Sequence, residues 1–417
     1  MLVLPLFLSA CVEPDHRAAR LQDVLVTDNR AWMQRDHALL ADKYAKMAAD
    51  PYDFMRGSLA WMLADTQRPT GPRATAGLLT PTNQRVLLVG DPHPENVGTL
   101  ALGDEVALAF IDTDAATWGA TPFDVRRGAL GVAVFVDPLD GCACTLDSIR
   151  TFGEGYTEGM LSQSEPVSDI VTRDLIDEAI DEGRERRRLL NRSESVDGTR
   201  RFVRTDERVD PTPDEARRVR DILARTHPDH RVVDVVRRLG RGVASLPADR
   251  FELIVDTHDA SDADDVLFQV REVIDAPVLP VPPPAPAPFH DGAHRVQYAT
   301  LLWPFQEPGF GSAVVSGTTY KVSSGSSWFQ QLDHGDLAEA WDDGDIDRDD
   351  VIALAHTLGW TLAQTHRRAG VEPHAPQLGD DLYSIALADL DRLYVDHALF
   401  TSLLDQHGPW LGAEALY

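Results

Sequence analysis

Cysteine is scarce in this chain: three in 417 residues, at positions 11, 142 and 144. Only Cys142 and Cys144 stand close together, and no further cysteine completes a zinc site. The pair reads first as two idle thiols, ahead of a partial metal site or a disulfide, which an exported location would permit. Basic charge is short as well: 39 Lys and Arg face 67 Asp and Glu, a net charge of -28. That balance opposes binding to phosphate backbones and anionic head groups, so nucleic acid is not an expected partner. It also repels ATP unless local basic groups or Mg²⁺ offset it. No stretch is long and apolar enough to span a bilayer.

What is present begins with a short apolar run from Met1 to Cys11, ending in Leu8-Ser-Ala-Cys11. This resembles a bacterial lipoprotein box, in which the cysteine is lipidated and becomes the new terminus, although no Lys or Arg precedes it. Residues 1–11 are therefore read as a lipoprotein signal with Cys11 as the lipidation site, facing the periplasm or exterior. Membrane contact is then expected only through the lipid anchor. The alternative is an apolar tail on a cytoplasmic protein.

The densest chemistry lies between Arg85 and Asp124. Val86 to Val89 reads as a buried strand stopped by Gly90, after which Asp91, His93 and Asn96 place an acid, an imidazole and an amide close together. Val97 to Leu102 and Val106 to Ile111 read as strands about a three-residue turn, Gly103-Asp104-Glu105. Pairing Leu102 with Val106 sets Asn96 opposite Asp112, with Cα atoms about 4.5–5.5 Å apart. An amide facing a carboxylate suits Mg²⁺, which commonly takes one or two protein carboxylates and leaves the rest to water and phosphate. Asp91 would orient or deprotonate a hydroxyl, and Asp114 would assist. Phosphoryl transfer needs this set. His93, grouped with these, sits between prolines and reads as a loop-holding hydrogen-bonder rather than a base. Asp124 is either a helix N-cap or a group steadying the loop. The competing reading of Asp-x-His is a polar turn closed by its own side chains.

Along the rest of the chain, residues 12–45 fit a tether and a first helix through Asp36–Tyr44, and 46–230 hold the hairpin and a helical lobe. Arg56, beside Gly57, could fork onto an oxyanion or form a structural salt bridge. Residues 231–330 are β-rich, with strands at Val232–Val236, Phe251–Val255 and Val266–Val270 and a proline-rich spacer at 278–288. A turn carrying Gly240 and Gly242, followed by a strand carrying a cation at Arg271, is the plan of a lobe that covers a nucleotide. Lys321 reads as a solvated lysine, ahead of the alternative that it stands in for a missing cation. Residues 331–417 read as helices packing on the helical lobe, with His366 and His397 as core or capping histidines.

Gly90-Asp91-Pro-His93-Pro-Glu-Asn96 followed by Ile111-Asp112 resembles the catalytic and metal-binding segments of the aminoglycoside phosphotransferase and choline kinase group. With Asp50-Pro-Tyr-Asp-Phe54-Met-Arg56-Gly57, Pro122-Phe-Asp124-Val-Arg126-Arg127, Leu267-Phe-Gln-Val-Arg271-Glu272 and Leu358–His366, the chain is more similar still to domain-of-unknown-function family 2252, from about residue 45 to 400. The resemblance implies an α+β, protein-kinase-like two-lobe fold with a large helical lobe. Its order is permuted, since the catalytic hairpin precedes the glycine-turn lobe. It further implies Mg²⁺ at Asn96 and Asp112 and ATP near Gly240, Gly242, Arg271 and Arg56. Two positions depart from the family pattern: Arg271 stands where it has lysine, and Gln330 where it usually has arginine. The function expected is Mg-dependent phosphoryl transfer to a hydroxyl acceptor. The alternatives are a non-catalytic ligand-binding lipoprotein of pseudokinase type and a metal-dependent phosphoesterase. Against the last, no second Asn-His-Glu or Asp-x-His element stands at helpful spacing.

Overall fold

The computed structural model describes residues 14–66, 85–103, 105–139, 141–162, 169–240, 242–243, 246–256, 264–274, 288–307, 309–325, 328–374 and 378–413. Among the described residues five helices come first: α1 (Pro14–Asp28), α2 (Arg30–Arg35), α3 (His37–Ala49), α4 (Pro51–Gly57) and α5 (Leu59–Thr66). The tether expected in 12–45 is therefore corrected from Pro14 onward. Leu21 and Leu25 are fully buried, and Arg17 bonds Asp65 at 3.1 Å and Asp396, near the far end of the chain, at 2.6 Å. Asp36 caps α3 by accepting from Leu39 N, and Asp50 caps α4 by accepting from Tyr52 N.

Four short strands follow: β1 (Val86–Leu88), β2 (Val97–Leu102), β3 (Glu105–Phe110) and β4 (Thr117–Gly119). β2 and β3 form the expected hairpin, but its register differs by one residue: Leu102 pairs with Glu105 rather than Val106. Gly103, at φ 64°, supplies the left-handed backbone that the tighter hairpin turns require. Asn96 O consequently accepts from Ile111 N at 2.8 Å, so Asn96 lies across from Ile111, not Asp112. Helices α6 (Pro122–Val136), α7 (Thr145–Leu161), α8 (Ile170–Arg184) and α9 (Arg187–Arg192) come next, then strands β5 (Ser193–Val196), β6 (Thr199–Phe202) and β7 (Arg208–Val209). α10 (Pro213–Thr226) begins with the expected capping box, Thr212 and Glu215 each satisfying the other's backbone N–H.

The β-rich region comprises β8 (Arg231–Arg238), β9 (Arg250–Asp256) and β10 (Val266–Glu272), then α11 (Gly292–Ala299), β11 (Gly311–Val315) and β12 (Thr318–Ser324). These strands and β7 form a six-stranded sheet in the order β11-β12-β10-β9-β8-β7, with antiparallel pairing throughout. One face of the sheet packs Phe251, Leu253 and Val255 against Val219, Ile222 and Leu223 of α10. α12 (His334–Asp343), α13 (Arg348–Arg368) and α14 (Gly379–His407) close the chain. They join α1–α7 and the first four strands in one large core. The fold is mixed α+β with a large helical part. A seam ties the sheet's exit segment to β2: Thr99 N donates to Gln330 O at 2.8 Å and Leu332 N to Val97 O at 3.0 Å. A Cβ at Gly98 would lie 2.3 Å from Gln330 O, so only glycine permits this approach. Of the spacer 278–288, all but Pro288 lies outside the described residues.

Candidate functional site

Between the sheet and the hairpin lies a cleft of about 720 Å³. Its helical side is built from Gly90 onward. Gly90 has φ +86°, and a Cβ there would sit 2.0 Å from Ala115 O, so the strand can turn only with glycine. Asp124 fixes that turn, accepting from Val89 N at 2.8 Å and Gly90 N at 3.0 Å. His366 Nε2 lies 3.1 Å from the same carboxylate, and Tyr156 Oη lies 2.8 Å from His366 Nδ1. Asp124 thus steadies the loop, Thr121 holds the N-cap position of α6, and His366 is a buried hydrogen-bonder. His397 Nε2 likewise contacts Ala48 O at 3.1 Å.

Asp91 is buried and accepts from Arg127 Nε at 2.6 Å, while Arg127 Nη2 donates to Met55 O at 2.9 Å. His93 Nε2 is 3.7 Å from Asp91 Oδ2, and Tyr52 Oη is 3.3 Å from His93 Nδ1. Burial drives the imidazole pKa down to about 3, outweighing the attraction of Asp91, which keeps the ring neutral and suits a positioning role. Asn96 Nδ2 donates to the Asp91 carbonyl at 2.8 Å, so its amide oxygen is the atom left to offer. Asn96 and Asp112 both line the cleft, as do Arg56, Gly240, Gly242 and Arg271, whereas Asp91, His93 and Asp114 are not among its lining residues.

The opposite wall meets this one through charge. Arg271 donates to both oxygens of Asp112, at 3.1 and 2.9 Å, and reaches Asp114 at 2.8 Å. Burial opposes ionisation of Asp112, but Arg271 and Lys321 prevail and hold its carboxyl well below the usual carboxylate range. Lys321 is buried, 5 % exposed, and bonds Asp114 at 2.7 Å. The solvated-lysine reading is therefore corrected: strand pairing puts Lys321 directly opposite Arg271. Arg56 bonds Glu95 at 2.6 Å and Asp53 at 3.1 Å, the salt-bridge alternative, from a position on the cleft wall. Burial pushes the Glu95 carboxyl up to about 7, against the pull of Arg56. The glycine turn is held from below, Lys46 Nζ donating to Gly240 O at 2.9 Å.

With loop, hairpin and sheet in place, the whole arrangement falls within one stretch of family likeness. A family model described as an uncharacterized protein conserved in bacteria, DUF2252, matches residues 35–400. The chain belongs to DUF2252. No curated protein and no solved structure matches it.

The DUF2252 region so defined takes in every candidate residue except Cys11, which lies outside the described residues. Arg127 and Glu307 escaped the sequence reading, and Lys321 was raised there only as the second alternative. Arg127 stands three residues after Asp124 on α6, so the two share a helix face, and that spacing was the available signal. Lys321 could have been found from the alternation along β12, where it faces the same side as Thr319 and Ser323. Glu307, whose Oε1 accepts from Ser324 N at 2.6 Å, left no signal. Gln330 bonds Glu182 at 3.0 Å. The idle-thiol reading of Cys142 and Cys144 is corrected too: they form a disulfide, with Ala143 between them at φ 47°.

Proposed function

We propose that this DUF2252 protein is a kinase-like phosphotransferase, moving a phosphoryl group to a hydroxyl acceptor. The observation that carries the reading is that Asn96, Asp112 and Arg271 line one cleft, Arg271 bonding Asp112, while the Asn96 amide donates to the backbone carbonyl of Asp91. The strand run β8-β9-β10-β12-β11, with Gly240 and Gly242 following the first strand and Arg271 on the third, supports a permuted kinase-type lobe. In this reading Asp91 positions the acceptor hydroxyl and takes its proton, and Arg271 and Lys321 turn from the carboxylates to phosphate oxygens. The oxygen donors of Asn96 and Asp112 fit Mg²⁺ in its usual mode of few protein ligands. Bound there, the ion would neutralise charge on the phosphates. ATP is the donor this reading starts from, and attachment of the chain to a membrane through Cys11 belongs to the same proposal.

The test is a transfer assay that follows phosphate into small hydroxyl acceptors, with ATP and other phosphoanhydrides as donors and Mg²⁺ varied. Transfer that needs Mg²⁺ and is lost in Asp91→Asn and Asp112→Asn is expected, and transfer unchanged by both substitutions would sink the reading. A second reading, a non-catalytic binding protein that keeps the fold, is favoured by the burial of Asp91 and its bond to Arg127. It predicts ligand-induced stabilisation without turnover.

A further inference from the structure

The cleft has an apolar side that the phosphate chemistry does not use, and it begins on the hairpin. Gly98 pairs with Gln331, and continuing that antiparallel register sets Leu100 across from Phe329, both of which line the cleft. Gly98 and Leu100 share one face of β2. The Ile111 side chain covers that face, its Cδ1 lying 2.6 Å from the place that a Cβ on Gly98 would take. Trp303 extends the patch. Its indole Nε1 donates to Phe110 O at 2.8 Å, which fixes the ring beside Ile111, and Phe310 stands edge-on to it with ring centroids 5.1 Å apart. Ile111, Trp303 and Phe310 line the same cleft.

Between the two aromatic residues the chain turns, Phe310 N donating to Glu307 O at 3.2 Å, and the turn brings a carboxyl group to the margin of the patch. Glu307 is 5 % exposed and lines the cleft. Its Oε1 accepts from Ser324 N at 2.6 Å, so Oε2 is the atom left to offer. Burial pushes this carboxyl up to about 8, against the Ser324 N–H and the pull of Lys321, the charged group that acts on it. At neutral pH Oε2 therefore carries a proton to donate. Lys321 stands three residues before Ser324 on β12, about 10 Å along the strand. That spacing leaves room for a sugar between this acid and the cations.

An aromatic ligand group needs apolar flanks for its rings and a few placed polar groups for its edge, and both meet here. We propose that this side of the cleft is a base subsite: the ring system of a nucleoside triphosphate lies against Ile111, Trp303 and Phe310, Glu307 Oε2 donates to an acceptor atom on its edge, and the phosphates run towards Lys321 and Arg271. The inference rests on the phosphotransferase reading only for the use of that nucleotide as phosphoryl donor. Glu307 is then a positioning residue that distinguishes a nucleotide from a bare phosphate chain.

The experiment measures binding of ATP and of tripolyphosphate to the full chain by calorimetry, at fixed Mg²⁺ and salt. ATP is expected to bind at least about tenfold tighter than tripolyphosphate near neutral pH. Glu307→Gln should keep that ratio, because its amide still donates, whereas Glu307→Leu should lose about tenfold in ATP affinity and leave tripolyphosphate unchanged. From about pH 7 to 9 the wild-type carboxyl gives up its proton, so its preference for ATP should shrink while that of Glu307→Gln holds. A merely structural role would move both ligands together. The wild-type pH series needs no variant, so it decides the matter even if Glu307→Leu fails to fold. Equal affinities for ATP and tripolyphosphate, or a wild-type ratio that ignores pH, would overturn the proposal. Preference for ATP that depends on Glu307, with no transfer to any hydroxyl, would keep the subsite and sink the phosphotransferase reading. Transfer lost in Asp91→Asn and Asp112→Asn, with tripolyphosphate serving as well as ATP, would do the reverse.

Discussion

The helical body and the cleft face of the sheet handle arginine in opposite ways. In the body, Arg126 is 1 % exposed and bonds Asp389 at 2.6 and 2.8 Å, and Arg17 is shared by two carboxylates. Both cations are held directly against carboxylates, and the pairs tie helices together across long stretches of chain. In the cleft, Asp112 and Asp114 each lie within reach of both Arg271 and Lys321, and Glu252 meets Arg192, Arg208 and Arg238. Cations that share their carboxylates at a concave surface can be drawn to a ligand of opposite sign.

The sharpest way to break this comparison is to delete a cation on each side. Arg126→Met should destabilise the protein by about 3–5 kcal/mol, because it removes the guanidinium that bonds both oxygens of the buried Asp389. Denaturant unfolding measures it, and a loss below about 1 kcal/mol would mean that the body's pairs are not single points of failure. Next in size is the loop's own anchor. Asp124→Ala leaves Val89 N, Gly90 N and His366 without their acceptor and should cost about 1–3 kcal/mol, with faster amide exchange at Gly90 as its local signature.

The pH dependence separates the two regions by sign. His93 in the loop has its pKa depressed to about 3, so the folded state resists protonation, and stability should fall as pH drops from about 6.5 towards 3. Glu307 in the cleft has its pKa raised to about 8, so the folded state holds a proton that the unfolded chain has already lost. Its contribution is full below the ordinary carboxyl value near 4.5 and drains away as pH rises through 8, at up to about 1.4 kcal/mol per pH unit. Denaturation series from pH 4 to 9 on the wild type and on Glu307→Gln should show the alkaline slope flattened in the variant alone. The smallest effect is expected for Lys321→Met, within about 1 kcal/mol, since Arg271 still reaches Asp114 at 2.8 Å. Removing Arg271 as well should expose the dependence that the single change hides.

Much of this contrast was legible in the residues, but not all of it. The strands at 232–236, 251–255 and 266–270, the buried helix after Pro122 and the capping box at Thr212 follow from alternation, apolar density and cap chemistry, which are local. The hairpin was found and its pairing missed by one, because turn length depends on a single glycine dihedral that composition leaves open. The two readings of Lys321 were ranked the wrong way round for a related reason. A lone lysine among serines and threonines reads as surface, and only strand order brings it beside Arg271 and over Asp114. That Arg238, Arg250, Arg271 and Lys321 line one cleft is invisible for the same cause: these positions meet only after β8, β9, β10 and β12 have paired.

The seam at Gly98, Thr99 and Gln330 carries a mechanical consequence. Sheet and body are stitched together along that edge of the cleft by backbone hydrogen bonds, so they cannot slide apart there without breaking them. Arg35 of α2 grips both oxygens of Glu272 on β10 and Lys46 holds Gly240 O, so the sheet is pinned to the body at further points as well. Gly98→Ala would drive a wedge into the seam itself, 2.3 Å from Gln330 O, while touching none of the charged groups.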